Sequence, residues 1–385
     1  MGDPIAVIDV DTHVTEPVDL WTSRLPRKFA SDAPHVEWDA ERQRDRWHVG
    51  RHTLLGVQDQ AHAGWKEYYP STPASFDQAE PGGWDALERL KVMDAHGIAA
   101  QILYPNLLGF FGFAFMDLEP ALGLACVRAY NDFQVDWCSA DPKRLIPLAF
   151  LPFWDVESSA AELQRCADLG FRGFNWGQSF EKVGLPRLRD PHWDPVMTLA
   201  QDLEMPVSFH IGFGNQTEEE YKGWSAFEED ILMAQMSVLF FLGNAVAITD
   251  LCLGGICERF PRLNFVSVES GFGYVPYLLE AMDWMYMNNR GSTTRKGLPL
   301  PSEYFKRQVY ATFWFERNVD RLIDLIPDNV MFESDYPHPT SLSPGPASAA
   351  QDAKTTIAAN LAKLPDDIRR KVLHDTAARI YKLDV

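Results

Sequence analysis

The stretch Val330-Met331-Phe332-Glu333-Ser334-Asp335-Tyr336-Pro337-His338-Pro339-Thr340 decides the fold. Val330 to Phe332 read as a short buried strand. The chain then delivers a carboxylate, Asp335, and an imidazole, His338, on a loop bounded by prolines. Such a strand suits a barrel enzyme, because the strand fixes the chemical groups and the loop admits a ligand. The start of the chain offers a matching element. Ala6–Val10 runs into Asp11-Thr12-His13-Val14-Thr15-Glu16-Pro17, which implies that the two ends meet in space.

Between these ends, strand-like and helix-like segments alternate. The predicted strands are Ile5–Asp9, Ala99–Tyr104, Leu145–Leu151, Phe171–Asn175, Pro206–His210, Asn264–Val268, Gln308–Thr312 and Val330–Phe332. Several are continuous apolar runs, the pattern of parallel strands covered on both faces. Helical periodicity falls at Trp84–His96, Pro120–Ser139, Ser158–Leu169, Pro195–Leu203, Phe227–Leu242, Val275–Met287 and Val319–Ile326. Lys354–Leu364 and Asp366–Tyr381 follow the last strand. Eight strands alternating with helices predict an α/β protein of the (β/α)8 TIM-barrel class, a single domain over residues 1–385. The segment His35–Pro81 breaks the alternation. Val36–Trp38 and Arg46–Val49 flank a charged turn there, predicting a small β-hairpin inserted after strand 1.

Composition removes several function classes. Of 385 residues, 46% are hydrophobic, enough for a large core, and the net charge is -19. That charge repels phosphate backbones and anionic lipid, so nucleic-acid and membrane partners are not expected. The apolar run around Met236–Ile248 is interrupted by Gly243 and Asn244 and reads as too short to cross a bilayer. Five scattered cysteines without a CxxC pair predict reduced thiols in a cytoplasmic protein.

Four strand ends carry groups that bind metal or move protons: Asp11 and His13, His210, Glu269, and Asp335 with His338. In a barrel these ends face one mouth, so the residues converge despite their separation in sequence. Two imidazoles and two carboxylates suit a divalent cation, with zinc, manganese and iron all open. One ion is favoured and two are compatible.

These motifs resemble the amidohydrolase superfamily: Asp-x-His after strand 1, His210 in Pro-Val-Ser-Phe-His-Ile-Gly, and Asp335 in Glu-Ser-Asp-Tyr-Pro-His. The nearest branch is the amidohydrolase-related one, with aminocarboxymuconate-semialdehyde decarboxylase and the resorcylate-type decarboxylases. The resemblance runs from about Ile5 to Tyr381. It implies metal-dependent hydrolysis or decarboxylation of a hydrophobic, cyclic small molecule. Asp11, His13, His210 and Asp335 would hold the metal, Asp335 or Glu269 would serve as the acid/base, and His338 would assist. Two positions depart from the family. Asp11 replaces the first histidine of His-x-His, and Glu269 in Glu-Ser-Gly-Phe-Gly replaces the histidine that moves protons after strand 6. If Glu269 is instead a ligand, a non-haem iron or di-iron monooxygenase becomes the alternative, with a second ion near His338 or Glu16.

Other residues are weaker candidates. Asp9 would point the same way as Asp11, either into the site or towards a neighbouring strand. His35, His48, His52 and His62 would enter the pocket only if the insertion acted as a lid. Arg172, Arg290 and Arg295 are candidates for holding a substrate carboxylate. The aromatic segment Tyr104–Phe115 reads as a loop that covers the pocket or joins a subunit interface, which makes a homodimer the expected assembly. Trp176, Phe213 and Trp314 also follow strands and would line the same cavity or the core.

Overall fold

The apolar runs pair as parallel strands: β1 (Val7–Val14), β2 (Ile98–Pro105), β3 in two pieces (Leu145–Pro147 and Ala149–Phe150), β4 (Phe174–Trp176), β5 (Val207–His210), β6 (Phe265–Val268), β7 (Val309–Phe313) and β8 (Val330–Phe332). The computed structural model describes residues 5–56, 60–213 and 229–385. Every residue of β1 and of β4 to β8 is buried, as expected for strands covered on both faces. The first piece of β3 pairs with β2 and the second with β4. Pro147, which has no N–H, ends the first ladder. The strands are those of a (β/α)8 barrel, as predicted.

At the seam between β8 and β1 there is no full ladder. His13 N donates to Tyr336 O at 2.7 Å, Asp335 N donates to Asp11 O at 2.9 Å, and Thr12 forms a single parallel bridge with Tyr336. A separate apolar cluster fills the space between the strands, with Ile8, Val10, Tyr104, Leu148 and Val268 among its members. The C-terminal helix Thr376–Tyr381 adds Ile380 and Tyr381 to it, and the Tyr381 hydroxyl meets Ser208 Oγ at 3.1 Å.

β1 is longer than predicted and carries Asp11 and His13 within the strand, because its pairing with β2 continues to Pro105. The register shifts between Asp9 and Thr12. Such an irregularity re-aims side chains. Asp9 therefore does not share the direction of Asp11, as simple alternation had implied. Its carboxylate accepts from Ser334 N at 2.8 Å, Ser334 Oγ at 2.6 Å and Gln101 Nε2 at 3.1 Å, tying β1 to β2 and to the chain beyond β8.

Three further expectations are corrected. The inserted hairpin is a three-stranded antiparallel sheet, His35–Asp39, Arg44–Val49 and His52–Gly56, because the chain turns back once more at Gly50 and Arg51. Its buried Trp47 meets Trp21 edge to face, ring centroids 5.0 Å apart, which anchors the sheet to the body. The aromatic segment after β2 is a buried helix, Leu107–Met116, rather than an exposed loop, because its apolar residues find partners on every side. Finally, Gly243 keeps helical dihedrals (φ -58°, ψ -39°), so the run Ala234–Cys252 reaches 19 residues. By length and composition it is long and apolar enough to cross a membrane, and Val238, Leu242 and Val246 along it are exposed. Helix Glu229–Phe241 lies within the predicted Phe227–Leu242, of which 227 and 228 fall outside the described residues.

Asp9 holds three donors at the seam, so removing its carboxylate leaves buried N–H and O–H groups unpaired at about 1–3 kcal/mol each. Asp9→Ala should lower unfolding stability by about 3 kcal/mol. Urea unfolding with an unchanged m-value is the measurement. A shift of the midpoint worth less than about 1 kcal/mol would show that the seam does not depend on this carboxylate.

Candidate active site

The six side chains predicted at the strand ends converge, all of them buried. His13 Nε2 and His210 Nε2 stand 3.0 Å apart at the centre. Asp11 Oδ1 lies 3.5 Å and Asp335 Oδ1 3.7 Å from His13 Nε2, while Glu269 Oε2 lies 2.9 Å and Asp11 Oδ2 3.8 Å from His210 Nε2. His338 stacks on His13, with ring centroids 3.7 Å apart, and its Nδ1 lies 2.6 Å from Asp335 Oδ1.

Backbone strain helps to aim two of these groups. Glu269 (φ 54°) and Asp335 (φ 61°) both sit in the left-handed region, at a cost of about 1–3 kcal/mol each for a residue with a Cβ. Each is held there by a hydrogen bond from its own N–H: Glu269 N donates to Glu333 Oε2 at 3.0 Å, and Asp335 N to Asp11 O. The turn after Glu269 is held by Glu316, whose Oε1 accepts from Phe272 N at 2.8 Å. Gly271 (φ +67°) is required there, since a Cβ would stand 2.6 Å from Glu316 Oε1.

The electrostatics ask for positive charge. Burial, reinforced by neighbouring carboxylates, pushes the Asp11 and Asp335 carboxyls well above the usual range. Burial alone would lower His210, but the charges of Glu269 and Asp11 outweigh it and push the ring up to about 9. His13 and His338 are lowered by burial and by the neighbouring imidazoles. Among the described residues, no donor reaches either oxygen of Asp11, although its side chain is fully buried. A buried carboxylate with no donor is costly unless a cation meets it. Two groups of atoms, from His13, His210, Glu269 and His338 and from Asp11, His13, Glu269 and Asp335, each lie within 4.8 Å of one another. Such a mixed nitrogen and oxygen set, closely gathered, fits a divalent ion with ligands at about 2.1 Å.

Four supporting residues escaped the sequence reading. Asn106 Nδ2 donates to Val14 O at 3.3 Å, and its Oδ1 lies 2.8 Å from His338 Nε2. Because that oxygen only accepts, His338 Nε2 must carry hydrogen. A neutral His338 then presents a bare Nδ1 to Asp335 Oδ1, an oxygen that no donor reaches among the described residues, so a proton on Asp335 or a cation beside the pair would relieve the 2.6 Å contact. Thr340 Oγ1 donates to Asp335 Oδ2 at 2.9 Å. Glu333 fixes the Glu269 backbone, and the buried Arg89 donates to Gln101 Oε1 and to His13 O behind β1. Asn106 was visible as a polar residue just beyond β2. Glu333 and Thr340 flank Asp335, but their own geometry gave no sequence signal.

Other candidates fall away from the site. Glu16 Oε1 accepts from Asn106 N at 3.0 Å and Leu107 N at 2.9 Å, so it caps helix Leu107–Met116. That helix sets Phe110 against the rings of His13, His210 and His338. Arg172 and Arg290 are exposed, and Arg295 pairs with Glu258 on the outside. His35, His48 and His52 stay in the inserted sheet, whereas the buried His62 donates its N–H to Pro337 O at 2.9 Å. Trp176 packs on Trp193 and Phe180, and Phe213 on Phe153 and Phe180.

The family model described as amidohydrolase matches residues 8–383. Gamma-resorcylate decarboxylase of Rhizobium radiobacter is 28% identical over 309 residues, covering 77% of this chain and 86% of that protein. The 2-amino-3-carboxymuconate-6-semialdehyde decarboxylase of Dictyostelium discoideum is 26% identical over 281 residues, covering 70% and 72%. Among solved structures, an amidohydrolase from Mycobacterium avium subsp. paratuberculosis superposes with a TM-score of 0.77 at 19% identity over the whole of both chains. A dihydroxybenzoic acid decarboxylase from Polaromonas, solved with manganese and 2-nitroresorcinol, gives 0.64 at 18% identity over 99% of this chain and 98% of that one.

After dialysis against a chelator, titration with manganese(II) should raise the thermal midpoint of the protein. Asp11→Asn should weaken that affinity by about tenfold or more with an unchanged far-UV spectrum. A midpoint that ignores every divalent ion would show that the cluster is not a metal site.

Proposed function

The chain belongs to the amidohydrolase family, and on that footing we propose that it is a divalent-metal-dependent carboxy-lyase that removes carboxylate as CO2 from a hydrophobic aromatic acid. The observation that carries this reading is the buried cluster around His13 and His210, in which Asp335 Oδ1 and His338 Nδ1 stand 2.6 Å apart. The decarboxylase names of the relatives support the same choice over hydrolysis.

Loss of CO2 from an aromatic ring needs a proton on the carbon that bears the carboxylate. The C–C bond then breaks, its electron pair restores the ring, and CO2 leaves. Burial raises Asp335 and lowers His338, so both directions place a proton on Asp335 rather than on His338. Asp335 gives that proton to the ring carbon and regains one from solvent when the product leaves. Asn106 keeps hydrogen on His338 Nε2, which leaves Nδ1 free to take part. Thr340 holds the other oxygen of Asp335 and so fixes the direction of transfer. Phe110 and its helix keep water from the pair, which favours proton delivery to carbon.

Asp11, His13, His210 and Glu269 would hold the cation. When bound it supplies a Lewis acid for the oxygens of the substrate. Manganese is the first ion to test, since the Polaromonas decarboxylase was solved with it. Glu269 then acts through its charge rather than as the proton carrier that the family histidine provides. A di-iron oxygenase would need a second ion, and Glu16, proposed from the sequence as a neighbour of that ion, already caps a helix.

Manganese-loaded protein should release CO2 from 2,6-dihydroxybenzoate at equal rates in air and under nitrogen, and a requirement for oxygen would overturn the carboxy-lyase reading. His338→Asn should lower kcat by about 10²–10⁴-fold with metal content intact. Glu269→Gln should lower metal content. Full metal content with turnover nearly abolished would instead make Glu269 the acid/base.

A further inference from the structure

A cavity of about 410 Å³ has Thr340 in its lining. Thr340 also touches the cluster, since its hydroxyl donates to Asp335 Oδ2. The cavity is walled by Tyr69 of the inserted segment, Phe241, Trp314 just beyond β7, and Ala349 of the loop after β8. Its volume falls in the range of about 300–1,000 Å³ that small-molecule sites occupy, beyond whatever room the buried cluster itself provides. Trp314 is fully buried in this wall, and its indole N–H finds no acceptor among the described residues.

We propose that this cavity is the second half of the substrate site, and that the substrate is an aromatic acid carrying a further flat, apolar, ring-sized group. The inference rests on the carboxy-lyase reading for its location beside Asp335, and it adds the substrate class. With the carboxylate-bearing ring beside Asp335, a substituent directed past Thr340 enters a space lined by aromatic rings. Flat groups gain there from offset and edge contacts. Tyr69 comes from the segment inserted after β1, so this specificity would depend on an addition to the barrel rather than on the barrel itself.

Manganese-loaded protein titrated calorimetrically with salicylate, 3-phenylsalicylate and 5-phenylsalicylate tests the assignment. At least one phenyl derivative should bind tenfold or more tightly than salicylate. Ala349→Trp, which fills the cavity, and Phe241→Ala, which removes a wall, should each abolish most of that gain and leave the salicylate Kd within twofold. Equal affinity for all three acids, or an equal loss for all three in both variants, would overturn the proposal. CO2 release from the same acids separates the two readings. A phenyl gain without CO2 release would support the cavity and sink the carboxy-lyase, whereas CO2 release without a phenyl gain would sink the cavity alone.

Discussion

The contact on which the rest depends joins the first strand to the segment that follows the last. Asp335 N donates to Asp11 O, His13 N to Tyr336 O, and Asp9 holds both polar groups of Ser334. These bonds occupy the place of a full ladder at the seam. They also bring Asp11, His13, Asp335 and His338 within reach of one another, although more than 300 positions separate the two segments. Closing the strands and building the site are therefore one event. A register slip of one residue at this seam would turn the same side chains away from the mouth.

That closure concentrates negative charge. Asp11, Glu269, Glu333 and Asp335 are all buried near one another, and loss of water is the largest cause raising Asp11, Glu333 and Asp335. Without a cation the structure responds by protonation. His210 is pushed up to about 9 between Glu269 and Asp11, and burial raises Asp335, whose Oδ1 no donor reaches among the described residues. A divalent ion among these groups would take the place of such protons, and His13, stacked on His338, belongs with Glu269 to both sets of closely gathered donor atoms.

The strands were legible because burial on both faces writes a continuous apolar run, and the site was legible because a carboxylate or imidazole at the end of such a run has few structural reasons to be there. Asp9 shows the limit. Its spacing from Asp11 left it either in the site or bonded to a neighbouring strand, and the bonds to Gln101 on β2 and to Ser334 decide for the second, across a register shift that sequence alternation cannot encode. The helix Leu107–Met116 was hidden for a different reason. Its all-round apolarity has no periodic stripe to detect, and only the surrounding rings explain its burial. Asn106 acts through the tautomer of His338, a relation between residues 232 positions apart that no local pattern carries.

Glu269 stands where the resemblance in sequence leads one to expect a histidine. An imidazole after β6 would add another basic nitrogen beside His210 and reduce the negative charge that favours a cation. A carboxylate there instead sets Oε2 2.9 Å from His210 Nε2, and Asp11 adds oxygens 3.5 Å from His13 Nε2 and 3.8 Å from His210 Nε2. Atoms of Asp11, His13, Glu269 and Asp335 gather within 4.8 Å of one another, so carboxylates from the first, sixth and last strand ends meet at one imidazole. A donor set this rich in oxygen suits harder divalent ions.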